Sequence, residues 1–327
     1  MIDVFRTIVE PLKCRGVINH RHGVMMIGSC FSDNIGKRLQ QAYFNVEINP
    51  FGTLYNPASI ACGINDILSR RTFVEEDLFQ VKGDNRWHSF SHHSLYSQTD
   101  RQTMLHDINN HINEAHELLQ QASILIVTFG TAWVYELIAT NKIVANCHKL
   151  PENKFNRRLM SVEEIVTLWS KVVERLQKEN NRIKIIFTIS PIRHFRDGAH
   201  GNQISKSTLH VAVNKLIEKY NDILYFPAYE IMNDDLRDYR FYESDMVHPS
   251  DVAIDYIYKI FSQSFFDDET MCLAGECERL TRRLSHRHMS DDKEAIARFE
   301  KSTQEIKTQL LQQYPFLQQS MMKITSK

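Results

Sequence analysis

Several features that would assign the chain to a class at once are missing. No uninterrupted apolar run approaches the ~20 residues a bilayer-spanning helix needs, so no transmembrane segment is expected. The amino terminus, Met1-Ile2-Asp3-Val4-Phe5-Arg6, has no basic stretch followed by a long apolar core, so no secretory leader is expected. A formal net charge of -1 gives no overall basic field, which argues against nucleic acid or an anionic membrane as partner. The six cysteines are scattered, at positions 14, 30, 62, 147, 272 and 277. None forms a C-x-x-C pair or joins a histidine at structural-zinc spacing. They read as free thiols in a reducing, cytoplasmic setting. There is no internal repeat and no low-complexity tract.

What is present is an ordinary globular composition, 43% hydrophobic and 24% charged, in 327 residues. Short apolar runs read as buried strands: Val24-Met25-Met26-Ile27, Ile124 to Phe129, Ile183 to Ile189, and Ile223 to Phe226. Helical patterns alternate with them, over about 58–70, 100–121, 161–178, 202–220 and 250–264. Strand, helix, strand in repetition predicts an α/β fold with a parallel sheet covered on both faces. Beyond Phe266 the pattern changes to charged helices, Asp268–Leu284 and Asp291–Gln313, with no strand. An α/β domain over 1–266 and a helical C-terminal appendage over 267–327 are therefore expected. Leu273, Leu280 and Leu284 form an apolar stripe in the appendage, which would pack on the sheet domain or on a second copy of the chain. Arg279, Arg282, Arg283, His286, Arg287 and His288 read as a solvated basic face.

The chemistry-bearing residues lie at strand ends. In Ile27-Gly28-Ser29-Cys30-Phe31-Ser32-Asp33 a strand breaks at Gly28, and a helix follows with Ser32 or Asp33 as expected N-cap. Ser29 then sits at the carboxyl end of a strand and the positive end of a helix, a placement that suits a nucleophile whose reaction develops an oxyanion. Much later come Asp245-Met246-Val247-His248-Pro249-Ser250, just before a helix. A serine, a histidine to take its proton and an aspartate to orient the ring make a hydrolytic triad of Ser29, His248 and Asp245. Cys30 is an alternative nucleophile, its thiol at a helix N-terminus. Gly52 in a turn, Thr131 at the end of the 124–129 strand, and Asn146 and His148 in Asn146-Cys147-His148-Lys149 are candidate pocket groups. His92-His93 has no carboxylate or third histidine at a recognised spacing, so no metal and no cofactor are expected.

These motifs resemble the GSCFA family, grouped with the SGNH (GDSL-like) hydrolases. The resemblance rests on Gly28-Ser29-Cys30-Phe31-Ser32, Asn49-Pro50-Phe51-Gly52-Thr53, Thr128-Phe129-Gly130-Thr131-Ala132-Trp133, Asn146-Cys147-His148-Lys149, Ser190-Pro191-Ile192-Arg193-His194 and Asp245-Met246-Val247-His248. It implies a three-layer α/β/α sandwich with a central parallel sheet. It also implies a serine-dependent ester hydrolase or acyltransferase, acting on a small acylated carbohydrate or polar metabolite. The oxyanion donors it implies are the Ser29 and Gly52 N–H groups and an asparagine side chain in a Gly-x-Asn block. That block reads Gly130-Thr131-Ala132, so the asparagine is missing, and Thr131, Asn146 and His148 are the candidates to replace it. A protein of this fold that binds a partner through its C-terminal helices, without catalysis, is the competing expectation.

Overall fold

In a computed structural model of the chain, which describes residues 6–286 and 292–325, the first apolar run becomes strand β1 (Gly23–Gly28) and leads into helix α1 (Cys30–Gln41) and strand β2 (Asn45–Ile48). Helix α2 (Pro57–Leu68) opens on an Asn56 N-cap with proline in its first turn, the position where a missing N–H costs nothing. Residues 71–99 hold a small antiparallel pair, β3 (Leu78–Gln80) and β4 (Trp87–Ser89). Helix α3 (Arg101–Gln121) feeds directly into β5 (Ala122–Phe129).

Next comes a three-stranded antiparallel sheet with β6 (Trp133–Leu137) between β7 (Lys142–Val144) and β8 (Phe155–Leu159). The chain continues through α4 (Val162–Glu179), β9 (Lys184–Ile189), α5 (Gly198–Lys219) and β10 (Ile223–Phe226). A short turn, α6 (Ala228–Glu230), precedes α7 (Asp251–Phe265), and α8 (Asp268–Leu284), α9 (Lys293–Gln313) and α10 (Leu317–Thr325) follow.

The central sheet has five parallel strands in the order β10-β9-β5-β1-β2. Alternation along each strand sends side chains to two cores. Met25 and Ile27 of β1, with Leu125, Val127 and Phe129 of β5, meet Ile60, Ile108, Trp169 and Leu209 from α2 to α5. Val24, Met26, Ile124 and Ile126 face the other way, onto Ile35, Leu39, Ile257 and Phe261 of α1 and α7. The result is a three-layer α/β/α sandwich. Strand order turns back between β1 and β5, which makes their carboxyl ends the switch point where open α/β sheets bind ligands.

The C-terminal helices close a third cluster, in which Leu273, Cys277, Leu280, Leu310 and Leu317 pack with Tyr43. Leu284 does not join the expected stripe; it is 43% exposed. Arg283 is not a solvated cation. It donates to Thr303 and Ser302 and lies over the Phe299 ring, joining α8 to α9. Arg287 and His288 of the basic cluster lie outside the described residues, as do Met1–Phe5. No helix among the described residues is long and apolar enough to cross a membrane.

Candidate active site

The turn after β1 admits only glycine at position 28. Gly28 has φ +142°, and a Cβ there would stand 2.2 Å from the Thr128 carbonyl oxygen on the neighbouring strand. The turn is held from outside by Asn49, whose side-chain oxygen accepts the Gly28 N–H at 2.8 Å while its amide donates to Asp33 at 2.7 Å. The helix begins one turn earlier than expected. Its N-cap is Ser29, not Ser32 or Asp33, and the Ser29 hydroxyl accepts the Phe31 N–H at 3.3 Å. Ser29 is 1% exposed.

At the switch point a cavity of about 370 Å³ opens, and Cys30, Thr131 and His248 are among its lining residues. Ser29 is not. Tyr55, Trp133 and Tyr135 give the cavity ring faces, and Arg157, Arg193 and Arg196 give it guanidinium groups. Arg157 is paired with Asp197 and lies 4.4 Å from the Trp133 ring centroid.

Asp245 and His248 are brought together as expected from their spacing. His248 Nδ1 lies 2.6 Å from Asp245 Oδ2, and Asp245 Oδ1 accepts the Val247 and His248 N–H groups, each at 2.9 Å. Those backbone and ring hydrogen bonds hold the Asp245 carboxyl down to about 2. A carboxylate can only accept, so Nδ1 is the nitrogen that donates to it, and in the neutral tautomer this selects, Nε2 carries the lone pair. The loop is closed below the pair by Glu243 N–H to His248 O at 2.7 Å and Ser250 N–H to Phe241 O at 2.8 Å. Ser250 then caps α7.

The expected oxyanion donors are otherwise engaged. The Ser29 N–H donates to Thr128 O, the Gly52 N–H to Asn49 O at 2.7 Å, and the Gly130 and Thr131 N–H groups both to Tyr55 O. Gly52 is therefore a turn glycine at φ +72° whose N–H points away from substrate use in this conformation. Asn146 acts locally, accepting the His148 N–H. His148 is buried against β4, its Nε2–H donating to Ser89 O at 2.8 Å, and lies off the cavity lining. Of the three candidates to replace the asparagine, Thr131 alone reaches the cavity. Its hydroxyl lies 3.0 Å from Ser205 Oγ and accepts the Trp133 N–H.

A family model described as the GSCFA family matches residues 23–261. The chain belongs to the GSCFA family. No curated protein matches it. The matched span of this GSCFA chain includes the β1–α1 turn, the cavity and the Asp245–His248 pair, and stops short of the C-terminal helices.

Two residues at or beside the cavity of this GSCFA chain had no role assigned to them from the sequence. Lys206 on α5 is wholly buried, and its ammonium donates to Gly130 O and Ser190 O at 2.7 Å each, tying the ends of β5 and β9 together. Burial pushes it down to about 7. Its spacing gave a usable signal, since Lys206 falls three residues before Leu209 and seven before Val213, on the apolar face. His194 lines the cavity edge-on to Tyr55, with Nε2 buried and unpartnered. Burial lowers its pKa to about 4, so the ring is neutral. Among the described residues no group of three or more His, Cys, Asp or Glu side chains is placed to hold a metal ion. His92 instead packs between Phe51 and Phe73.

Proposed function

We propose that this protein transfers an acyl group from an ester, to water or to an acceptor alcohol, using a nucleophile from the Ser29-Cys30 turn with His248 as general base and Asp245 as its orienting carboxylate. The observation that carries the reading is the 2.6 Å Asp245–His248 bond beside a cavity at the sheet's switch point. With Nδ1 fixed by Asp245, Nε2 is the atom that takes the nucleophile's proton and returns it to the leaving alcohol. The helix N-terminus under the turn favours the charge that develops on the carbonyl oxygen. Aromatic walls and the Arg193 guanidinium suit an oxygen-rich polar substrate, and a small acylated carbohydrate is the class we favour.

Hydrolysis of an activated small ester by the wild type and by His248→Ala tests this. The expected result is turnover in the wild type and its loss, by about 10²–10⁴-fold, in the variant. Equal rates in both proteins overturn it.

One observation favours a second reading. The backbone N–H groups of Ser29, Gly52, Gly130 and Thr131 all donate to carbonyls inside the protein. A GSCFA chain that binds a polar ligand or a partner in this cavity, without turning it over, is consistent with that. A folded wild type with no esterase turnover supports it.

A further inference from the structure

We infer that Cys30, rather than Ser29, is the nucleophile of this site. The inference rests on the acyl-transfer reading above and concerns which atom carries the acyl group. Consecutive residues at a helix start face different ways, and here the two have divided the tasks. Ser29 has extended backbone angles, is 1% exposed, and turns its hydroxyl back onto the Phe31 N–H as the N-cap of α1. Cys30 is the first residue of the helix, half-buried, and lines the same cavity as His248. A nucleophile must face the cavity that admits substrate, and Cys30 is the member of the pair that lines it.

The surroundings of Cys30 fit a thiol that is used with a base. Burial and the Asp33 carboxylate push its pKa up to about 11. The Cys30 and Phe31 N–H groups and the buried Lys206 ammonium act in the opposite sense and favour the thiolate. At neutral pH Cys30 is therefore protonated at rest, and a base must take the proton as the reaction proceeds. His248 Nε2 is that base. A thiolate of high pKa is also the more reactive one once formed.

The chemistry balances without a redox partner. Cys30 Sγ gives its proton to His248 Nε2 and forms a bond to the ester carbonyl carbon, whose π pair moves to oxygen. Collapse of that oxyanion breaks the carbon–oxygen ester bond, and the leaving alkoxide takes the proton from His248. The enzyme is left as a Cys30 thioester. Water, or an acceptor alcohol, then gives its proton to His248 Nε2 and attacks the thioester carbon. The carbon–sulfur bond breaks, and the thiolate recovers its proton from His248.

The test is incubation of the full chain with p-nitrophenyl acetate, turnover measurement, and acid-quenched mass spectrometry, on the wild type, Cys30→Ala, Ser29→Gly and His248→Ala. Glycine is chosen at 29 because it is tolerated at an N-cap, and circular dichroism confirms folding of each variant. The inference expects Cys30→Ala to lose about 10³-fold in kcat/KM and Ser29→Gly to stay within about tenfold of wild type. It also expects any trapped acetyl group to sit on Cys30 rather than on the exposed Cys62 and Cys272, to be released by neutral hydroxylamine as a thioester is, and to be absent from His248→Ala. The reverse ranking of the two variants, or a hydroxylamine-stable acetyl group on Ser29, overturns the assignment to Cys30 and leaves the acyl-transfer reading standing. A folded wild type with neither turnover nor adduct overturns both.

Discussion

The Asn49 side chain, reaching in from beyond β2, spans the β1–α1 turn, taking the Gly28 N–H with its oxygen and giving its amide to the Asp33 carboxylate at 2.7 Å. Thr53 adds a second bond to Asp33. The Asn49-Pro50-Phe51-Gly52-Thr53 motif is thereby the clamp on the β1–α1 turn rather than a source of oxyanion donors. Asn49 itself has φ +47°, which asparagine accepts more readily than alanine.

Asn49→Ala leaves a buried N–H unpaired and adds backbone strain, so a loss of about 2–4 kcal/mol in unfolding free energy is expected from urea titration. Asn49→Gly relieves the strain and should lose about 1 kcal/mol less. Equal losses would show that the side-chain bonds carry the whole effect.

Asp245 and His248 are both about half exposed, 49% and 52% at the side chain. Asp245→Asn keeps an acceptor oxygen for the Val247 and His248 N–H groups and should therefore leave the urea midpoint close to that of wild type. Esterase kcat/KM should fall by about 10²–10⁴-fold, because an asparagine amide no longer holds the proton on Nδ1. Matched losses of stability and rate would point to a collapsed loop instead.

Lys206 is expected to be a positioning residue. Lys206→Met removes the donors to Gly130 O and Ser190 O, and one buried unpaired carbonyl costs about 1–3 kcal/mol. Some of that cost is offset because an ammonium is no longer buried, so a net loss on the order of 2 kcal/mol is expected by urea titration. The KM for an ester should rise as the two strand ends separate. An unchanged KM with lowered stability would confine Lys206 to a structural role.

Acid should loosen the fold through its buried histidines. Burial pushes His20 down to about 4 and His92 down to about 3, from an ordinary value near 6.5. Between those values the unfolded chain binds the proton and the folded one does not, so stability is full above pH 6.5 and falls as the pH drops toward 4. Each ring contributes a slope of up to about 1.4 kcal/mol per pH unit. Asp33 and Asp66, held up by burial, act in the opposite sense but in the lower, carboxylate range. Urea midpoints measured at pH 7, 6 and 5 should decline in that order; a flat series counts against the assignment.

Much of the framework was legible because it depends on local pattern. Apolar runs marked β1, β5, β9 and β10, and an Asp-x-x-His spacing before a capped helix was enough to place Asp245 on His248. The β6-β7-β8 sheet was harder to read, since strands such as Phe155-Asn156-Arg157-Arg158-Leu159 are half exposed and carry charges that pair across the sheet, as Arg158 does with Glu136. His194 carries no such signal, because its burial comes from elements far away in the chain, whereas the apolar-face position of Lys206 on α5 is written in its spacing from Leu209 and Val213.

The sequence by itself determined the order of elements, the two-sided burial of the parallel strands and the residues gathered at their carboxyl ends, since these follow from periodicity and from glycine and cap chemistry. Only the tertiary structure decided how those residues share the work. Whether Ser29 or Cys30 faces the cavity depends on where the helix begins, and the Gly52 and Gly130 N–H groups are engaged by carbonyls whose position the packing sets. A donor's availability is a property of its neighbours in space, and the linear pattern does not record them.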